Sequence, residues 1–369
     1  MVAGSNPAGR ISLPSANHTF CALSPGRCPA GFDMGSRPLH DADRDPSPEP
    51  RRPWLAWSVL IVVASLHGAG IFWGLDGWAG LTSPWPIARH DHPLYFHSAL
   101  ATRAFLAQNG TTAGYDPAFM AGYPKSVVFP ASSTLPELAV FLLGGTRPEL
   151  AYKAYVGLAA AAVPWLVALA ATLFGAGAAA AACAVVLACV YLWTDFPISY
   201  VTFGMVPYFF MVPLALVAAG LVARFLERGG WRPWLGASLA CSLALLAHLT
   251  AAMLVAPPAL LCYAVGCLGG RGGPDRARWP WPWSRHVGYW FIPLIVLAVN
   301  AFWWLPGLGL ASTKGPSDFA FAHPEPVAER LLKIWTSEAP AQAVLWAGGL
   351  LGAAALTTGK RPLLAACWI

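Results

Sequence analysis

Hydrophobic and polar positions along this chain fall into long blocks, with no short alternation between them. Apolar runs over 54–75, 150–174, 177–194, 203–223, 234–249, 251–268, 287–310 and 341–358 carry almost no charge. About 20 apolar residues wound as a helix cross the ~30 Å hydrocarbon core of a bilayer. The pattern therefore predicts an all-α fold, a polytopic transmembrane helical bundle of about eight spans. Between the first two spans lies a long, less apolar stretch from Asp76 to Glu149, predicted as an external first loop carrying interfacial helices. Within it, Tyr95 to Gln108 reads as an amphipathic helix in the membrane interface, ended by Asn109-Gly110. The run Thr134–Leu143 is too short to span and reads as interfacial or re-entrant. Residues 234–268 read as a tight helical hairpin.

Three sections follow from this pattern. Residues 1–53 are rich in Pro, Ser, Gly and Asp without an apolar period, which predicts a disordered cytoplasmic tail. No hydrophobic signal region precedes Trp54, and Met34 stands beside Met1 as an alternative start. Residues 54–361 form the transmembrane domain. Residues 362–369 begin a further apolar segment and stop short of a span, so the chain reads as C-terminally truncated.

Basic residues set the expected orientation. With the N-terminus in the cytoplasm, Arg51/Arg52, Arg224/Arg228/Arg232, Arg271/Arg276/Arg278/Arg285 and Lys360/Arg361 all fall inside. The loops at 194–202 and around Leu249 fall outside and hold no Lys or Arg. Composition agrees: charged residues are 11% of the 369, against about 25% in soluble domains. That excludes a soluble enzyme, a DNA-binding domain and a secreted disulfide scaffold. The net charge of +6 then marks cytoplasmic loops, and no nucleic-acid partner is expected. Most of the eight cysteines sit in or beside apolar runs and no Cys-x-x-Cys occurs, so neither disulfide nor cysteine metal site is expected.

No acid lies within a predicted span, which argues against an ion-coupled transporter. The densest polar cluster is Arg89-His90-Asp91-His92-Pro93-Leu94-Tyr95-Phe96-His97, just after the first span. A carboxylate flanked by imidazoles can hold a divalent cation or act as a general base; a solvated surface loop accounts for the same residues. Downstream, Gly114-Tyr115-Asp116-Pro117 and Gly122-Tyr123-Pro124 punctuate an aromatic loop suited to sugar or lipid-headgroup contact, or to an ordinary interfacial belt. His248 is the lone imidazole near the outer end of its span, and a hydrogen-bonded helix contact explains it equally well.

A first span, an external acidic motif, a surface helix and a Tyr-Pro loop resemble the GT-C superfamily of polyprenyl-phosphate-sugar-dependent glycosyltransferases. The run from Asp91 to Ala104, with Asn109-Gly110 and Gly122-Tyr123-Pro124, is similar to the first loop of the oligosaccharyltransferase catalytic subunit. It is closer still to bacterial GT-C-like membrane proteins labelled "6-pyruvoyl-tetrahydropterin synthase-related", a label that does not mean pterin chemistry. Ala301-Phe302-Trp303-Trp304-Leu305-Pro306 and His248 fit that group as well, and the likeness covers residues 54–310.

The resemblance implies a multi-pass protein of the bacterial inner membrane that moves a sugar from a polyprenyl-phosphate-linked donor to an acceptor on the external face. Asp91 matches the superfamily's first-loop acid, a metal ligand or base, and Asp195 falls where some members keep a second acidic motif. It implies catalytic roles for Asp91, His92 and Asp195, and substrate contacts from His97, Tyr115, Asp116, Tyr123 and His248. A divalent cation (Mg²⁺ or Mn²⁺) would sit on Asp91 and Asp195, expected to converge on one external pocket with His92 and Tyr123. The chain departs from the superfamily in lacking Asp-x-Asp at either place, which puts metal dependence in doubt. The superfamily's acceptor-recognition domain would lie beyond Ile369. The other reading is a non-catalytic membrane protein using the same scaffold for lipid binding or transport.

The orientation is directly testable. Labelling from outside the cell should mark a cysteine placed at Ser126 and not one placed at Gly272; the reverse pattern overturns the topology.

Overall fold

The computed structural model describes residues 53–118, 122–125, 130–269, 282–309 and position 329. The expected tail before Pro53, the run 341–358 and the segment 362–369 lie outside the described residues. In chain order the elements are α1 (Pro53–Gly74), α2 (Gly77–Thr82), α3 (His92–Asn109), β1 (Gly114–Asp116), β2 (Tyr123–Lys125) and α4 (Pro130–Leu143). Then come α5 (Pro148–Leu173), α6 (Ala178–Leu192), α7 (Asp195–Thr202), α8 (Val206–Arg228), α9 (Trp231–Ala247), α10 (Ala251–Gly269) and α11 (Trp283–Gly309).

The all-α expectation holds. Among the described residues four helices are long and apolar enough to cross a membrane: Trp54–Gly74, Pro148–Leu173, Val206–Arg228 and Trp283–Pro306. Thr134–Leu143, Ala178–Leu192 and Ala251–Cys267 are apolar but shorter. Exposed Leu66, Trp73, Leu158 and Leu294 line the outer faces, as suits helices solvated by lipid.

Helix α8 is the axis of the bundle, packed by α5, α9 and α10. Its apolar window is 72% buried, against 22% for α1 and for α11. Small residues make this possible: Ala215, Ala218, Ala219, Gly220 and Ala223 are all buried on α8. A Cβ on Gly220 would stand 2.9 Å from the Cβ of Leu173, so the α5–α8 approach requires glycine there. One core cluster gathers Leu173, Phe225, Leu226, Tyr289 and Ile292 at the C-terminal end of α8. Another gathers Ile71, Tyr95, Val156, Val206 and Phe209 at its N-terminal end.

Helix ends are closed by side chains. Arg224 donates to the carbonyls of Leu173 (3.0 Å) and Thr172 (2.6 Å), which end α5. Between α1 and α6, buried His67 donates through Nε2 to the Ala160 carbonyl (3.0 Å) and accepts through Nδ1 from the Trp193 indole (3.1 Å).

The helix expected at 95–108 is α3, which begins at His92 and is ended by Gly110 with φ +67. Sequence patterning did not reveal α2, α7 or the β1–β2 ribbon, because elements of 6, 8 and 3 residues are too short to show a period. The ribbon is antiparallel, with Tyr115 opposite Pro124. It is held from three sides. Asp116 pairs with His97 of α3 (2.6 Å), the buried Lys125 ammonium meets Glu137 of α4 (2.8 Å), and Thr112 donates to the Phe302 carbonyl of α11 (3.4 Å).

The α1–α6 contact yields a stability prediction. A Cβ on Gly70 would lie 2.5 Å from the Trp193 ring, so Gly70→Ala should displace the indole and cost about 1–3 kcal/mol. Thermal unfolding in neutral detergent should show the loss. Gly74→Ala, with nothing within 4 Å of the added atom, should leave the midpoint unchanged.

Candidate functional site

The loop carrying Asp91 is fixed almost atom by atom. His90 adopts φ +46, a left-handed conformation uncommon for a non-glycine residue, and its ring lies 4.3 Å from that of Phe203. The Asp91 amide donates to the Phe203 carbonyl (2.9 Å), and the Asp91 carbonyl accepts from Tyr95 (3.1 Å) as α3 begins. Pro93 in the first turn supports that start. From the other side comes Gly204 at φ +93. A Cβ there would stand 2.7 Å from the His92 nitrogen and 3.0 Å from the Asp91 carbonyl carbon. Only glycine lets the α7–α8 turn sit this close.

His92 is the peg. It is 1% exposed. Its Nε2 must carry the proton, because it donates to the Val201 carbonyl at 2.9 Å. Nδ1 then accepts from the Tyr152 hydroxyl at 3.0 Å. Burial pushes the imidazole below its ordinary pKa, outweighing the Val201 carbonyl and Asp91, which act the other way. Burial likewise raises the Tyr95 phenol to about 12, with a smaller push from Asp91. Asp91 itself is exposed. Its carboxylate makes no cap hydrogen bond and meets no cation within salt-bridge distance among the described residues.

Beside this loop lies a cavity of about 600 Å³. Arg89 and His92, on either side of Asp91, line it together with Lys153, Trp85 and Trp193. Its space comes from glycines on facing helices: Gly68, Gly70 and Gly74 of α1 and Gly157 of α5 all lie on its wall.

Lys153 is 5% exposed in the first turns of α5. Its ammonium donates to the carbonyls of Gly80 (2.7 Å) and Ser83 (2.8 Å) at the end of α2. Gly80 makes this possible by packing directly under the Leu75 carbonyl, where a Cβ would collide. Two of three ammonium donors are thus used, and the third meets no acceptor among the described residues, on a side chain that lines the cavity. No carboxylate lies within salt-bridge distance of Lys153 among the described residues, and neighbouring Glu149 is held by Arg147. Arg89 is less free: its guanidinium straddles both oxygens of Asp76 at 3.2 Å.

The other sequence-predicted residues divide. His97 and Asp116 meet each other on the ribbon, where Asp116 also accepts from the Ala118 amide (3.0 Å). Tyr115 is exposed, its hydroxyl lying against Gly122. His248 ends α9, accepts from the Thr250 amide through Nδ1 (3.2 Å) and stands edge-on to Tyr208 at 5.4 Å. None of these four lines the cavity. Tyr123 belongs to β2 and Asp195 opens α7, but the side chains of both lie outside the described residues. Along α7 the backbone of Asp195 stands about 12 Å from Phe203, which holds Asp91.

A divalent cation needs several oxygen or nitrogen ligands. Asp91 offers one carboxylate, and no group of three His, Cys, Asp or Glu side chains gathers among the described residues. The side chain of Asp195, the second expected ligand, lies outside the described residues, and no step below is routed through a metal. Sequence reasoning gave no role to Lys153, Tyr152 or Gly204. For Lys153 the signal was present, a lone cation inside an apolar run. In comparisons with known proteins, no protein-family model, no curated protein and no solved structure matches the chain.

The His92 peg makes stability depend on pH. Its folded-state pKa lies below the ordinary 6.5, so as pH falls below 6.5 the unfolded chain takes up the proton first. The contribution is complete above pH 6.5 and is lost as pH drops from there to the folded-state value. His92→Gln, which can both donate and accept without titrating, should flatten the acid side of the unfolding-temperature profile. A variant profile parallel to wild type would contradict the buried, neutral ring.

Proposed function

We propose that this chain is a membrane glycosyltransferase of the GT-C type, taking its sugar from a polyprenyl-phosphate-linked donor. One observation carries the reading. An exposed carboxylate with no ion pair among the described residues, Asp91, sits on a loop whose flanking residues line an apolar cavity that Lys153 also lines. Apolar walls with a single buried cation suit an amphiphile with an anionic head. The polyprenyl chain lies along the glycine-lined faces of α1 and α5, and its phosphate takes the remaining Lys153 donor, with Arg89 alongside.

The reaction then needs little more. The acceptor hydroxyl oxygen attacks the anomeric carbon while the bond from that carbon to the phosphate oxygen breaks. The bonding electrons leave with the polyprenyl phosphate, and the acceptor proton passes to Asp91. His92 is a positioning residue, since both its ring nitrogens are engaged. Tyr115, with the His97–Asp116 pair, stands on the ribbon as a candidate acceptor contact. This reading places about eight spans in a bacterial inner membrane, with the N-terminus cytoplasmic and the Asp91 loop external. A second reading, lipid binding without chemistry, draws on the same cavity.

Two measurements separate them. Purified chain should bind a short-chain polyprenyl monophosphate, and Lys153→Met should weaken that binding at least tenfold. Sugar transfer from a panel of polyprenyl-phosphate hexoses should fall by about 10²–10⁴ in Asp91→Asn while lipid binding stays intact. Lipid binding without transfer from any donor would leave the non-catalytic reading standing.

A further inference from the structure

At the far end of α8, about 34 Å from the Asp91 loop by helix rise, lies a second cavity of about 440 Å³. It is bounded by the C-terminal turn of α8, the Gly229-Gly230 corner and the first turns of α9 and α11, with Arg228, Trp231, Trp234 and Arg285 on its walls. The corner is built for close approach. Gly229 and Gly230 both have positive φ, and a Cβ on Gly229 would meet the Arg285 guanidinium at 3.0 Å.

Arg285 is thereby laid across the corner, donating to the Leu226 carbonyl at 3.0 Å. The Trp234 indole is turned inward to the Gly288 carbonyl at 2.9 Å. Arg228 is exposed and makes no side-chain hydrogen bond or ion pair to a described residue. Next to the cavity, though not on its wall, the Arg232 guanidinium lies 5.6 Å over the ring of Trp231. No acid stands in the first turn of α9 or α11, and Glu227 forms no ion pair among the described residues. The cavity therefore gathers positive charge that the described chain does not neutralise, inside a frame of tryptophans of the kind that settles at headgroup depth.

We infer that this cleft binds the phosphate of an anionic phospholipid, in the leaflet opposite the one facing Asp91. Arg285, half spent on Leu226, supplies a fixed donor fork, Arg228 supplies the mobile charge, and Trp231 and Trp234 bracket the glycerol and upper acyl chains. A free phosphate anion shares the headgroup chemistry but not the contact with the tryptophans.

The test uses the full chain purified in a neutral detergent. Dioleoyl phosphatidylglycerol, dioleoyl phosphatidylcholine and inorganic phosphate are titrated separately, reading unfolding temperature and, by native mass spectrometry, lipid retention. Phosphatidylglycerol should stabilise and be retained, and phosphatidylcholine should do neither. Arg228→Gln, which breaks no side-chain hydrogen bond or ion pair to a described residue, should weaken retention about fivefold. Arg285→Lys should weaken it too while keeping the charge, since a lysine loses the fork. Arg228→Gln should weaken phosphatidylglycerol retention by the same factor in a Lys153→Met background, which separates this cleft from the Asp91 cavity. Equal effects of the two lipids, or wild-type retention in both arginine variants, overturns the inference. Stabilisation by phosphate alone matching that by phosphatidylglycerol overturns the lipid assignment.

Discussion

A hydrocarbon surrounding offers no hydrogen bonds, so every backbone carbonyl released by a helix end, kink or turn near the membrane must find its donor within the chain. Here the donors are cationic and imidazole side chains sent from neighbouring helices. Arg224 reaches from α8 to the end of α5, Arg285 from α11 to the end of α8, and Lys153 from α5 to the end of α2. His67 and His92 do the same from α1 and α3, each donating through Nε2 to a distant carbonyl and accepting through Nδ1. These contacts satisfy polar groups that would otherwise cost several kcal/mol apiece in lipid. They also decide which helix end lies beside which, and the core clusters fill in around that arrangement.

The Asp91 site is a by-product of this arrangement. Holding Val201 and Tyr152 with one imidazole brings α3, α5 and α7 to a single point, and the left-handed His90 is tolerated because its surroundings leave it no alternative. The Asp91 carboxylate that follows takes no cap bond and no ion pair among the described residues. Lys153 differs from Arg224 in one respect: it borders a cavity, so its remaining donor has somewhere to act.

Among the described residues the block pattern revealed the long helices to within about five residues of their ends, because lipid imposes length and uniform apolarity and both are visible one residue at a time. It also drew attention to the polar cluster around Asp91, since polar residues massed after a first apolar run stand out. What it missed depends on who meets whom. His92 and His97 sit five positions apart in one helix, yet one is a buried peg with both nitrogens taken and the other pairs with Asp116 on the ribbon. Nothing in a one-dimensional pattern separates them. The role of Gly204 depends on the backbone of Asp91 lying across from it, and the ribbon falls below the length at which alternation can be read.

That ribbon has an unusual dependence. Two strands of three residues do not hold together by themselves. This pair exists because His97, Glu137 and the Phe302 carbonyl grip it from α3, α4 and α11. Its cross-strand amides are therefore protected by the packing of three helices, and they exchange with solvent only when one of those grips is released. A hairpin too small to be stable alone thus acts as a strain gauge, and its hydrogen exchange reports how firmly α3, α4 and α11 are held together.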